Sequence, residues 1–146
     1  MNKQLMRKIF LVLLPVLAVG LATTEDSVVV YGPEVGTMYC SYFDLLPAGS
    51  FPIITPLAAI LGLTSGILAA IYAAFEKEWS LKGCMWTAFF GSVAAVVPIL
   101  IREETLIVPN VFYPILLVAE AILAYVMIKK PIKKTEVATG RRLERH

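Results

Sequence analysis

Histidine is nearly missing from this chain of 146 residues; the one present, His146, is the last. Cysteine is almost as scarce. Cys40 and Cys84 stand outside any C-x-x-C pair, so no zinc site, disulfide framework or dithiol redox motif is implied. There is no G-x-S-x-G, no H-E-x-x-H and no phosphate-binding glycine loop. The acidic pairs Glu25-Asp26 and Glu103-Glu104 are adjacent in sequence, point in different directions and read as solvated loop ends. The sequence therefore predicts no enzyme and no cofactor. It also lacks an aromatic-basic surface or a recognised nucleic-acid module, which argues against a nucleic-acid partner.

Charge is missing in a more informative way. From Phe51 to Phe75 no side chain is charged, and at about 1.5 Å per helical residue such a stretch covers a hydrocarbon layer of roughly 30 Å. It reads as a transmembrane helix. With 58% hydrophobic residues the chain is too apolar for an ordinary soluble domain. Three further apolar stretches, about 5–22, 83–101 and 106–128, complete an all-α membrane protein, a bundle of four transmembrane helices. Residues 1–128 form its single membrane domain. The first stretch has two readings. Lys3, Arg7 and Lys8 before an apolar run ending in Gly20-Leu21-Ala22 fit a cleavable signal peptide, and they also fit a short retained helix.

Between the first and second helices, residues 23–50 contain Glu25, Asp26, Glu34 and Asp44 but no Lys or Arg. Ser27–Tyr31 and Thr37–Phe43 are β-branched and aromatic runs separated by turn formers, which predicts a small extracytoplasmic β-hairpin over 27–43. Tyr39, Tyr42 and Phe43 are expected near headgroup level, as are Phe51, Phe112 and Tyr113. Trp79 and Trp86 would flank the opposite interface.

Lys and Arg flanking membrane spans favour the cytoplasmic side. With the amino terminus inside, every Lys and Arg but Arg102 falls there, so both termini are expected in the cytoplasm and the loop 23–50 outside. Residues 129–146 form a basic tail, expected to be mobile. Its Lys129, Lys130, Lys133 and Lys134 are candidate contacts for anionic headgroups, and the positive-inside rule would select the same residues for topology.

Along the second helix a four-residue step picks out Ala58, Gly62, Gly66, Ala70 and Ala74. Such a small-residue seam lets a second helix come close, either within the chain or in a homo-oligomer. The acid Glu120 falls near the middle of the last helix. Charged side chains at mid-membrane are disfavoured by about 2.5–3.5 kcal/mol on insertion scales, so they face a bundle interior or a cavity. Counting depth along each helix puts Thr64, Ser65 and Ser92 at nearly the level of Glu120, a candidate polar cluster. A structural hydrogen bond and a proton or cation relay are both consistent with it. Cys40 reads as a buried free thiol or an intermolecular disulfide, and Cys84, placed at the inner end of the third helix, as an acylation candidate.

Four helices with a strand-bearing outer loop resemble the layout of claudin-type proteins, whose loop carries a Trp and a disulfide pair that this loop lacks. In length, helix number and use of a membrane glutamate the chain is similar to small multidrug transporters, whose glutamate lies in the first helix. Both likenesses are architectural, and architecture does not transfer function. The sequence predicts a non-enzymatic structural, accessory or partner-binding protein whose partners are the bilayer and a membrane protein or second copy, met through the Gly62/Gly66 face or the outer loop. The alternative is a small transporter or channel-like unit centred on Glu120.

Overall fold

The computed structural model describes residues 3–24, 28–32, 36–44, 54–101 and 108–130. Four helices account for most of them: α1 (Lys3–Ala22), α2 (Ile54–Phe75), α3 (Glu78–Ile101) and α4 (Val108–Lys129). Each is long and apolar enough to cross a membrane. Every helix packs on its neighbours in sequence, and α4 closes the ring against α1. Between α1 and α2, β1 (Val28–Gly32) pairs antiparallel with β2 (Gly36–Cys40), Val28 opposite Cys40 and Gly32 opposite Gly36. The second strand is shorter than the Thr37–Phe43 run suggests. Its end is set by Ser41, whose N–H donates to Asp44 Oδ2 (2.7 Å) while the Asp44 N–H donates to the Ser41 carbonyl (3.2 Å), closing a turn in place of further strand.

Helix α3 begins five residues before the expected Gly83. The connection from α2 is only Glu76-Lys77, with Glu76 in the left-handed region (φ 52°) and its N–H on the Tyr72 carbonyl (2.8 Å), which ends α2. Lys77 then opens α3, its carbonyl accepting from the Ser80 N–H (3.1 Å) and from Ser80 Oγ (2.7 Å). Glu78 sits in the first turn, where the helix dipole favours an acid, and pairs with Lys82 one turn on (2.9 Å). Helix α1 docks beside this turn through an ion pair between Lys8 and Glu76.

The interior falls into two apolar layers. At the strand end are Ala18, Ala22, Cys40, Tyr42, Ala58, Ala59, Ala95, Tyr113 and Leu117. At the end holding the α2–α3 turn are Leu11, Ala69, Leu81, Cys84, Ala124 and Met127. Tyr42 and Tyr113 correct the sequence-based expectation of interfacial aromatics, since both are buried. Tyr42 donates its N–H to the Ala22 carbonyl at the end of α1 (3.0 Å) and lays its ring on Tyr113 (centroids 4.6 Å apart), filling the mouth of the bundle. Tyr39, Phe43, Phe112, Trp79 and Trp86 are exposed. Phe51, the chain between α3 and α4 and the tail beyond Lys130 lie outside the described residues.

Candidate functional site

Glu120 lies on α4 between Leu117 of one apolar layer and Ala124 of the other, and it is wholly buried. Its two oxygens meet two different helices. Ser65 Oγ of α2 is 3.0 Å from Oε2, and Cys84 Sγ of α3 is 3.1 Å from Oε1. Ser65 Oγ also lies 2.8 Å from the Gly62 carbonyl of its own helix. The ion pairs among the described residues, Lys8–Glu76 and Lys82–Glu78, are at the helix ends, so no cation accompanies the carboxyl group.

Of the residues the sequence grouped by depth, only Ser65 reaches Glu120. Thr64 is one position along α2, about 100° around the axis, and donates to the Ile60 carbonyl (2.7 Å). Ser92 is buried but turns to the Pro114 carbonyl of α4 (3.2 Å). Cys84 replaces them, a residue that sequence reasoning placed at the membrane surface. It is fully buried, and the early start of α3 puts it six residues into that helix, about 9 Å deeper than an end position. The signal was present as Glu78 and Lys82, an acid-to-base i,i+4 pair typical of a first helical turn.

The small-residue seam divides. Ala58 and Gly62 face α4: Tyr113 donates its hydroxyl to the Ala58 carbonyl (2.7 Å), and a Cβ on Gly62 would overlap that hydroxyl. Gly66 faces α1, where a Cβ would be 3.3 Å from Pro15 Cβ. Ala70 and Ala74 are exposed. A four-residue step turns about 40° per stride, so Ala74 ends up about 160° around the axis from Ala58. The buried stripe is instead Thr55, Ala58, Ala59, Gly62, Ser65 and Ala69.

Lys129 and Lys130 are exposed, with Lys129 Nζ 4.9 Å from the centre of the Tyr125 ring, whereas Lys133 and Lys134 lie outside the described residues. Among the described residues no three His, Cys, Asp or Glu side chains are grouped as a metal site. Cys40, the last residue of β2, is buried, and burial first, then the nearby Asp44 carboxylate, pushes its thiol pKa up.

The chemistry open to the Glu120 group is narrow. A carboxyl, a thiol and a hydroxyl can share hydrogens, but a substrate would have to displace packed helices to touch them. No family model matches the chain, and neither a curated protein nor a solved structure matches it.

Proposed function

We propose that this chain is a non-enzymatic accessory protein of the membrane that acts by binding a partner, with Glu120 as an internal structural bolt. The observation that carries the reading is the complete burial of Glu120 between two apolar layers, with Ser65 and Cys84 occupying its oxygens. A coupling carboxylate has to be reached by water or an ion, and burial between packed layers weighs against such a route. A neutral Glu120 suits this role: with the Ser65 hydroxyl on the Gly62 carbonyl and the Cys84 thiol on Oε1, a protonated Oε2 gives the Ser65–Glu120 contact its own hydrogen.

The membrane helices run with both termini in the cytoplasm, and the strand pair forms an extracytoplasmic hairpin. In support, Lys3, Arg7, Lys8, Lys77, Lys82, Lys129 and Lys130 gather at the helix ends remote from the strands. Helix α1 is retained; Leu11, Pro15, Ala18 and Ala22 are buried against the rest of the ring. The partner-binding surface is the outer segment around the exposed Tyr39 and Phe43, because Gly62 and Gly66 are taken up by Tyr113 and Pro15 of the same chain.

The test is copurification of the full chain in mild detergent, compared with Tyr39→Ala/Phe43→Ala. Loss of a stoichiometric companion in the double variant is expected. The competing reading, a proton-coupled transporter, is favoured by the presence of an acid at this depth. It wins if proteoliposomes show a proton flux that Glu120→Gln abolishes.

A further inference from the structure

Two grooves flank α1 at its amino-terminal end, and they differ in what their basic residues are doing. The groove toward α2 is lined by Leu5, Lys8, Ile9, Val12, Val16 and Ala73, and its cation is spent on Glu76. The groove toward α4, about 400 Å³, is lined by Lys3, Met6, Arg7, Phe10, Leu14 and Leu123. Neither Lys3 nor Arg7 has a carboxylate partner among the described residues.

We infer that the α1–α4 groove is a binding site for one anionic phospholipid, its phosphate held by Lys3 and Arg7 and an acyl chain laid along Phe10, Leu14 and Leu123. The inference is independent of the partner-binding reading above. Lys3, Arg7, Phe10 and Leu14 are spaced by four, three and four residues, which puts them on one face of α1 with the charges at the helix start and the apolar groups deeper. From Lys3 to Leu14 the helix rises about 16 Å, close to half of a hydrocarbon core of roughly 30 Å. The groove therefore matches one leaflet, with its cations at the headgroup end. Arg7 brings a planar fork that can hold two phosphate oxygens, and Lys3 a point charge beside it. A zwitterionic lipid would fill the same apolar groove, but its own ammonium would offset the attraction to these two cations.

The experiment is native mass spectrometry of the full chain in mild detergent, titrated with phosphatidylglycerol or with phosphatidylcholine of the same acyl chains. One phosphatidylglycerol is expected to stay bound at concentrations where phosphatidylcholine does not. Lys3→Ala and Arg7→Ala should each weaken it about fivefold. Lys77→Ala and Lys82→Ala each remove as much charge from the same end of the bundle, at the α2–α3 turn, and should each leave binding unchanged. Leu14→Trp, which fills the groove without touching the charges, should also weaken binding. Equal losses in the Lys3/Arg7 and Lys77/Lys82 variants would reduce the effect to surface charge and overturn the site. Displacement of the lipid by glycerol 3-phosphate alone would overturn the role of the acyl chain.

Discussion

Tyr113 of α4 reaches across Gly62 of α2 to place its hydroxyl on the Ala58 carbonyl, one turn away. Two helices are thereby locked at a separation that only a residue without a side chain permits, and the lock sits about one turn from Ser65 along α2 and about two turns from Glu120 along α4.

Gly62→Ala should therefore destabilise the bundle by about 1–3 kcal/mol, because the added methyl must displace a hydroxyl that is already bonded. Gly66→Ala, with Pro15 Cβ at 3.3 Å, should lose less, and Gly20→Ala, which meets nothing within 4 Å, should be neutral or slightly stabilising. Unfolding midpoints in sodium dodecyl sulfate would rank the three. A Gly20 variant as damaged as the Gly62 variant would contradict the packing described.

Ser65→Ala removes a buried contact to Glu120, and interhelical hydrogen bonds of this kind in membranes are worth about 0.6 kcal/mol on average and up to about 1.7. Thr64→Ala, which loses only a bond within α2, should stay within about 0.5 kcal/mol of the parent. Reversal of that order in the same unfolding assay would mean that the depth-matched cluster, and not this geometry, is correct.

Glu120→Gln keeps the shape and one acceptor, so the bundle should remain folded with a loss of about 1 kcal/mol. Glu120→Ala leaves a cavity and strands the Cys84 thiol, and should lose about 2–5 kcal/mol. Proton flux through reconstituted vesicles, followed with an internal pH dye, should be the same for Glu120→Gln and the parent.

Cys40 alkylation should be slow at neutral pH and rise only in alkaline solution, since the thiolate is the reactive form and both burial and Asp44 hold the thiol protonated. Asp44→Asn removes the nearby negative charge, so the rate profile should move to lower pH while the part due to burial remains. Cys84, fully buried, should stay unlabelled in the intact bilayer-embedded protein.

The four spans could be read from runs of apolar residues, because a hydrocarbon layer demands length and neutrality and little else. The inside of the bundle was harder to read. Depth along a helix can be counted from a boundary, but azimuth accumulates at 100° per residue. Depth alone thus groups Thr64 with its neighbour Ser65, and a four-residue step groups Ala74 with Ala58, although each pair faces different surroundings. Cys84 lies deeper than an apolar run from Gly83 implies, because the charged residues Glu78 and Lys82 already belong to α3. Tyr42 and Tyr113 look interfacial by type, and only their pairing across two distant segments makes them core.

The two-residue turn between α2 and α3 also bears on the order of assembly. Both partners of Glu120, Ser65 and Cys84, belong to this one helical hairpin, whose short turn brings them together without α1 or α4. The hairpin is then a ready-made receptor that gives α4 a dry but polar berth for its acid. Co-expressed as separate fragments, α2–α3 should recruit α4 without α1, and recruitment should fail when Ser65 and Cys84 are both alanine.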